Sequence, residues 1–239
     1  MDLFSFTIAG LMVYAALAVF FIGMTYRICH WFSTPKASIR LGMFPKPKTR
    51  SGRWLKMLKD TILFPQALDV DPTMWFMAIT FHVAGLLIFF GHLRLIKEFT
   101  PIVSALGSKG MDTLAFVTGG TFGIVITVVV IYYLFRRFAS PYKDISVPED
   151  YLLLILILLV ITMGNHLRFF GDVHVADYRA YVQSVLLFRP SFDAALAHSS
   201  IRWSLVAHVF LANILLMYFP FSKLTHTVGA FLANLVRSD

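Results

Sequence analysis

The stretch FHVAGLLIFFGH, residues 81–92, has a histidine close to each end and almost only apolar residues between them. Ionisable side chains inside an apolar helix are costly to leave without a partner, and they mark functional sites. Two histidines in one such helix therefore indicate a ligand that takes both imidazoles. The same stretch indicates the fold, because it lies within an apolar run long enough to cross a membrane.

The composition of the whole chain agrees with that indication. Of its 239 residues, 58% are hydrophobic and only 14% are charged, which is too apolar for an ordinary soluble domain. About 20 helical residues cross the hydrocarbon layer. The sequence predicts five such spans, at 3–26, 72–95, 113–135, 151–170 and 202–222. We therefore expect an all-α integral membrane protein, a bundle of five transmembrane helices in a single membrane domain over residues 1–239.

Basic residues are distributed unevenly over the loops. Nine lysines and arginines lie in the loop at 27–71 and three at 136–150, whereas the loops at 97–112 and 171–200 hold two each. The positive-inside rule then predicts an N-terminus outside, a cytoplasmic C-terminus and an outer loop at 171–200. The net charge of +8 follows from this topology and from attraction to anionic membrane lipid. It does not indicate nucleic-acid binding.

Two loop segments and one glycine pair have recognisable patterns. RWLKMLKDTILF (53–64) predicts a basic amphipathic helix, which would either rest on lipid or dock a cytoplasmic partner. YVQSVLLF (181–188) is too short to span and could be an interfacial helix or a lid. Gly119 and Gly123 form a G-x-x-x-G pattern, which favours close helix packing.

Four of the eight histidines lie where two spans can face each other. His82 and His92 are ten residues apart on the second span, about 15 Å along a helix. His208 lies in the fifth span and His226 follows it. Because these two spans run antiparallel, His82 and His226 share the cytoplasmic half, and His92 and His208 share the outer half. This arrangement predicts two b-type haems, each ligated by one imidazole from each helix.

A plainer alternative is that each histidine only hydrogen-bonds a neighbouring helix. For His30, His174 and His198, which lie near or beyond the span ends, ordinary interfacial or surface roles are preferred. His166 and Arg168 deserve separate testing, since they should lie at the depth of the outer haem.

Four segments in this order carry a family resemblance: FHVAGLLIFFGH, TGGTFG followed by RRFASP, YVQSVLLFRP, and FPFSKLTH. From about residue 74 onward the chain resembles the cytochrome b subunits typified by the gamma subunit of respiratory nitrate reductase. That family includes the membrane subunits of heterodisulfide reductase and of sulfite-reductase-linked complexes. The resemblance implies five transmembrane helices, two haems b and quinol chemistry. It implies haem ligands at His82, His92, His208 and His226.

The resemblance also implies a quinol site beside the outer haem, where Gly91 matches a glycine next to a ligand. The residues expected at that site are Arg94, Lys109, His166 and Arg168. Arg136 and Arg137 match a family arginine pair at the cytoplasmic end of the third span, where they would neutralise propionates of the inner haem.

The expected function is that of a di-haem cytochrome b subunit in a prokaryotic cytoplasmic membrane. It would be a quinol oxidoreductase subunit, inactive in the full reaction alone, that exchanges electrons between menaquinol or another quinol and a cytoplasmic iron–sulfur subunit. The chain has one cysteine, Cys29, so any iron–sulfur cluster belongs to the partner. The long basic first loop favours a heterodisulfide-reductase-like partner over a nitrate-reductase-like one.

Two alternatives stay open on sequence alone. One is a haem-free membrane anchor of a redox complex. The other is a histidine-based proton or ion transporter, which is disfavoured because the uncharged cores of the spans contain no acidic partner.

Overall fold

The computed structural model describes residues 1–33 and 47–238, with the backbone alone for 235–238. Lys36, Arg40 and Lys46, which contribute to the predicted basic loop, lie outside the described residues. Within the described part, all regular structure is helical. The helices are α1 Leu3–Ser33, α2 Arg50–Ile62, α3 Pro65–Val70, α4 Pro72–Leu93, α5 Thr100–Arg136, α6 Pro148–Phe170, α7 Val175–Leu186, α8 Ala194–His198, α9 Arg202–Tyr218 and α10 His226–Ser238.

Five of these helices are long and apolar enough to cross a membrane: α1, α4, α5, α6 and α9. This confirms the predicted all-helical chain with five candidate spans. The helix α5 begins at Thr100 instead of residue 113, and it changes direction at Gly107, whose φ of 71° lies in the left-handed region. Glycine adopts that region without the steric cost that a Cβ imposes. The residues expected to form an outer loop therefore extend the third span as a second helical segment.

The two patterned loop segments are also helical. Helix α2 covers most of the predicted basic amphipathic segment, and it begins where the Thr49 hydroxyl accepts a hydrogen bond from the Gly52 amide at 3.1 Å. Its apolar side chains Leu55 and Ile62 are exposed. Helix α7 contains most of the segment predicted as an interfacial helix or lid.

Contacts divide the chain into two compact units, residues 1–17 with 80–216 and residues 18–79 with 217–239. In the first unit, α5 packs closely against α6 at the predicted glycine pair. Asn165 Nδ2 donates to the carbonyl of Gly123 at 3.1 Å and to Thr127 Oγ1 at 2.9 Å. A Cβ at Gly123 would clash with the Asn165 amide oxygen. The glycine thus permits the close approach, and the asparagine joins the two helices by hydrogen bonds.

Two tyrosines anchor α7 to the N-terminal part of α1 within the same unit. Tyr14 Oη donates to the carbonyl of Val185, and Tyr181 Oη donates to the carbonyl of Ala9, each at 2.7 Å. Burial raises the pKa of Tyr181, so its hydroxyl remains a donor. Leu196 from α8 is fully buried in the same cluster. Helix α7 is consequently a fixed part of the unit.

The second unit contains the turn that leads to His226. A Cβ at Gly23 would come within 2.7 Å of Pro220, so the glycine gives the proline room. Arg27 Nε donates to the carbonyl of Pro220 at 2.9 Å. Farther along, Asn234 Nδ2 donates to Thr61 Oγ1 at 3.0 Å and joins α10 to α2.

Candidate functional site

The structure brings two of the four predicted ligands together in the first unit. His92 lies at the end of α4 and His208 lies in α9. Their ring centroids are 6.4 Å apart, and the ring planes differ by 14°. A metal atom between two imidazoles, with bonds of about 2 Å to each nitrogen, would separate the ring centres by roughly 6 Å. The spacing therefore suits an ion shared by the two rings.

The hydrogen bonds of this histidine pair leave the same nitrogen available on each ring. His92 Nδ1 donates to the carbonyl of Ile88 at 2.8 Å, and His208 Nδ1 donates to the carbonyl of Val160 at 3.0 Å. A carbonyl oxygen can only accept, so each Nδ1 carries the proton and each Nε2 keeps its lone pair. Metal-ligating histidines usually donate their other ring nitrogen in this way. The pair has the donor chemistry of two metal ligands.

Helix α6 positions His208 in two ways: a main-chain carbonyl accepts its hydrogen bond, and a glycine leaves room for its imidazole ring. Val160 and Gly164 are four residues apart and so lie on one face of that helix. Val160 supplies the carbonyl, and a Cβ at Gly164 would lie 3.2 Å from His208 Cε1. Gly91, beside the other histidine, differs, because a Cβ there would meet nothing within 4 Å. One glycine allows the imidazole to pack on α6, and the other borders open space.

Within the described residues, no group of three or more histidine, cysteine, aspartate or glutamate side chains is placed to hold a metal ion. A metal bound by His92 and His208 would need its remaining ligands from a group that the protein side chains do not provide. A haem would supply those remaining ligands, and His92 and His208 would hold it.

A charged network lies just beyond the end of α4. The Arg94 side chain, 6% exposed as a residue, donates through Nε to Glu98 Oε1 and through Nη2 to Asp112 Oδ1, both at 2.6 Å. Arg179 of α7 donates to the Arg94 carbonyl at 3.0 Å and also forms an ion pair with Glu98. The hydrogen bond from Arg94 lowers the pKa of the Glu98 carboxyl, and the bond from Arg179 acts in the same direction. The network fixes α7 to the segment after α4.

Several polar side-chain atoms are buried without a hydrogen-bond partner among the described residues. They are Arg94 Nη1, His166 Nδ1, Tyr178 Oη and Arg202 Nε. Arg168 makes no hydrogen bond or ion pair within the described part of the chain, and its guanidinium packs so closely over Gly119 that a Cβ there would lie 3.1 Å away. Burial raises the pKa of Tyr178 to about 12. Buried polar groups normally have partners, so these donors call for a ligand.

The other predicted site residues are placed as follows. Lys109 is exposed on α5, and no contact with the histidine pair is seen among the described residues. The Arg136 guanidinium lies 3.4 Å from the centroid of the Tyr142 ring. Arg137 Nη1 donates to the buried Asp150 at 3.1 Å. The predicted roles of these three cations stay predictions.

The predicted inner pair is divided between the two units. His82 lies in the first unit, edge-on to the ring of Phe81. His226 lies in the second unit, and its Nδ1 donates to the carbonyl of Lys223 at 2.8 Å. The pairing of His82 with His226 stays a prediction. His226 shares the Nδ1-to-carbonyl bond seen at the outer pair.

Sequence reasoning missed several residues that shape the site. Gly164, the Val160 carbonyl, Glu98 and Tyr178 were not singled out, because their roles depend on which helix faces which. One signal was available. Gly164 directly precedes the Asn165–His166 pair and lies inside an apolar helix, where a glycine usually has a packing reason.

These observations define a class of protein, a multi-pass helical membrane protein in which two long helices present a pair of ligand-type histidines. The sequence model of the nitrate reductase gamma subunit family matches residues 69–238, and the chain belongs to that family. The predicted resemblance is thereby confirmed.

Three relatives cover most of the chain. The Hdr-like menaquinol oxidoreductase cytochrome b-like subunit of Archaeoglobus fulgidus is 27% identical over 252 residues, which cover 91% of this chain and 75% of the relative. The subunit of the same name from Archaeoglobus profundus is 24% identical over 252 residues, covering 90% and 74%. The nitrate reductase gamma chain of Bacillus subtilis is 27% identical over 241 residues, covering 96% and 93%. By their names, all three are subunits of oxidoreductases.

Proposed function

We propose that this chain is a cytochrome b subunit of a membrane-bound respiratory complex, in which His92 and His208 would hold a haem b. The observation that carries the proposal is the geometry of that histidine pair. Both rings donate Nδ1 to a main-chain carbonyl, both keep Nε2 available, and their centroids are 6.4 Å apart. The names of the two Archaeoglobus relatives, cytochrome b-like subunits, support the same cofactor.

A second haem b, ligated by His82 and His226, completes the proposal. Its support is the placement of these histidines in the sequence, with one at the other end of the stretch that holds His92 and the other after the span that holds His208. The hydrogen bond from His226 Nδ1 to the Lys223 carbonyl is the type that orients a ligand. When bound, haem supplies reversible one-electron transfer, and the protein supplies ligand orientation and local polarity.

The substrate of the proposed complex is a quinol that binds at the outer side. Oxidation of one quinol yields a quinone, two electrons and two protons. Arg94 Nη1 and His166 Nδ1 are buried without a hydrogen-bond partner among the described residues, the Arg168 guanidinium packs over Gly119, and Gly91 leaves open space beside His92. These side chains would hold the quinol oxygen, and the protons would leave to the outside. Menaquinol is the first candidate because two relatives carry it in their names.

The electrons would pass to a cytoplasmic iron–sulfur subunit, of the heterodisulfide-reductase-like kind. The basic helix α2 and the short helix α10, joined by the hydrogen bond from Asn234 to Thr61, form the surface proposed to receive it. With protons released outside and electrons moving inward, each turnover separates charge. That separation corresponds to about 2.3 kcal/mol per charge for each 100 mV of membrane potential.

This orientation can be tested at the single cysteine. Cys29 is exposed near the end of α1 that the positive-inside rule assigns to the cytoplasm. A membrane-impermeant maleimide should label it in inside-out vesicles and not in intact spheroplasts. As a control, an Ala176→Cys variant in a Cys29→Ser background, with the new thiol on α7, should give the reverse pattern. Labelling of Cys29 in spheroplasts would contradict the proposed orientation.

The function itself is tested by anaerobic titration of membranes that contain the chain with a reduced menaquinone analogue. We expect the analogue to reduce b-type haem, with the growth of an α-band and a shifted Soret band in the difference spectrum. A chain that served as a haem-free anchor would give membranes with no chain-dependent Soret band. A chain whose haem is reduced by dithionite and not by any quinol would refute the quinol part alone.

A further inference from the structure

We infer that Tyr178 is a quinol-binding residue of the outer site and that its phenol shares one quinol oxygen with the Arg168 guanidinium. This inference rests on the proposed function and adds a residue that neither the family motif nor the sequence pattern assigns. It also assigns α7 a role, because that helix carries Tyr178.

The first argument is that the polar groups here have no partners of their own. Tyr178 Oη and Arg94 Nη1 are buried without a hydrogen bond among the described residues. Arg168 lies within electrostatic reach of both Tyr178 and Arg94, so the three groups share one locality. A guanidinium can only donate, whereas a phenol can donate and accept. A quinol oxygen carries a proton, whereas the corresponding quinone oxygen does not. These side chains can bind the oxygen in both states.

The second argument is that Tyr178 is held in place by its neighbours. Arg179, the next residue, pairs with Glu98 and donates to the Arg94 carbonyl at 3.0 Å. One turn later, Gln183 Nε2 donates to the carbonyl of Ile96 at 3.3 Å. These contacts fix α7 against the segment that follows His92. A binding group is most effective when its supporting contacts leave it preorganised.

The third argument is that Tyr178 packs in a core shared with chain neighbours of Arg168 and His208. Tyr178, Leu167 and Val209 pack against the same buried cluster. Leu167 precedes Arg168, and Val209 follows His208. Tyr178 therefore packs in the same core as the chain neighbours of Arg168 and His208. Because burial keeps the Tyr178 pKa at about 12, the phenol is neutral at physiological pH and can donate to a quinol oxygen.

The test is steady-state quinol oxidation by membranes that contain the full chain with Tyr178→Phe, assayed beside wild type and Tyr26→Phe. Tyr26 is exposed, 67% by surface, so it controls for the loss of a hydroxyl. We expect Tyr178→Phe to keep its haem and its dithionite-reduced spectrum and to raise KM for the menaquinol analogue by about tenfold, as loss of one hydrogen bond to substrate predicts. Tyr26→Phe should behave as wild type.

Three results would overturn the inference. The first is an unchanged KM with normal haem, which leaves the proposed function intact. The second is a lower haem content in Tyr178→Phe, which would make the residue structural. The third is recovery of wild-type KM on adding phosphatidylglycerol vesicles, which would assign these side chains to a lipid phosphate. Wild-type membranes without haem would instead refute the proposed function, so the two failures are distinguishable.

Discussion

Replacement of His208 by alanine is expected to remove one of the two haems and to abolish quinol oxidation. In the proposed function this side chain would hold the haem together with His92, and alanine offers no nitrogen to replace it. Its partner His92 would retain its bond to the Ile88 carbonyl, yet one imidazole leaves the ion without its second protein ligand. Haem content should fall to about half, as measured by pyridine haemochrome quantification against protein, and quinol turnover should fall at least 100-fold, to the background of the assay.

His198→Ala is the matched control. That histidine also donates Nδ1 to a carbonyl, of Ala194 at 2.9 Å, but it lies alone in the short helix α8. Its removal should leave haem content and turnover unchanged. If His208→Ala retains both haems in a folded preparation, the proposed pairing of His92 with His208 is wrong.

Replacement of Gly164 by leucine is expected to disrupt the same haem without changing a ligand. A Cβ at this position would already lie 3.2 Å from His208 Cε1, and the remaining leucine atoms would need space that the imidazole occupies. Small-to-large changes at packed sites force neighbours out of position. We expect loss of one haem and of quinol oxidation in Gly164→Leu, measured by the same two assays.

Gly164→Ala should give a graded result, since one methyl group only requires a small displacement. The expected signature is a shifted midpoint potential of the outer haem in a redox titration, with haem content retained. Gly85→Ala is the control, because a Cβ there would make an ordinary 3.7 Å contact with Ile126. Wild-type haem content and turnover in Gly164→Leu would show that α6 does not position His208.

The helices of this protein were largely predictable because apolar runs of about 20 residues have one stable solution in a bilayer. The start of α5 was not predictable in this way. The segment from Thr100 to Gly107 contains Pro101 and Gly107, from which the sequence predicts a loop, yet proline fits the first turn of a helix and glycine accommodates the kink. The turn signals of Pro101 and Gly107 did not prevent helix formation, and the chain is helical on both sides of Gly107.

The histidine pair was predicted from depth alone, since antiparallel spans bring residues of equal depth together. The residues that orient it were not, because helix rotation decides them. Nothing local to Gly164 or Val160 reveals that both face His208. The inferred role of Tyr178 could not be predicted for the same reason, because it depends on Arg168 and Arg94 from two other helical segments. The sequence pattern does not show which residues of distant segments contact each other.

The most direct measurement is haem quantification on the purified chain, by the pyridine haemochrome method together with a dithionite-reduced minus oxidised spectrum. The proposal predicts two haems b per chain, with His208→Ala retaining one. A folded, well-expressed preparation with no haem would contradict it, and the histidines would then serve in helix packing or proton transfer.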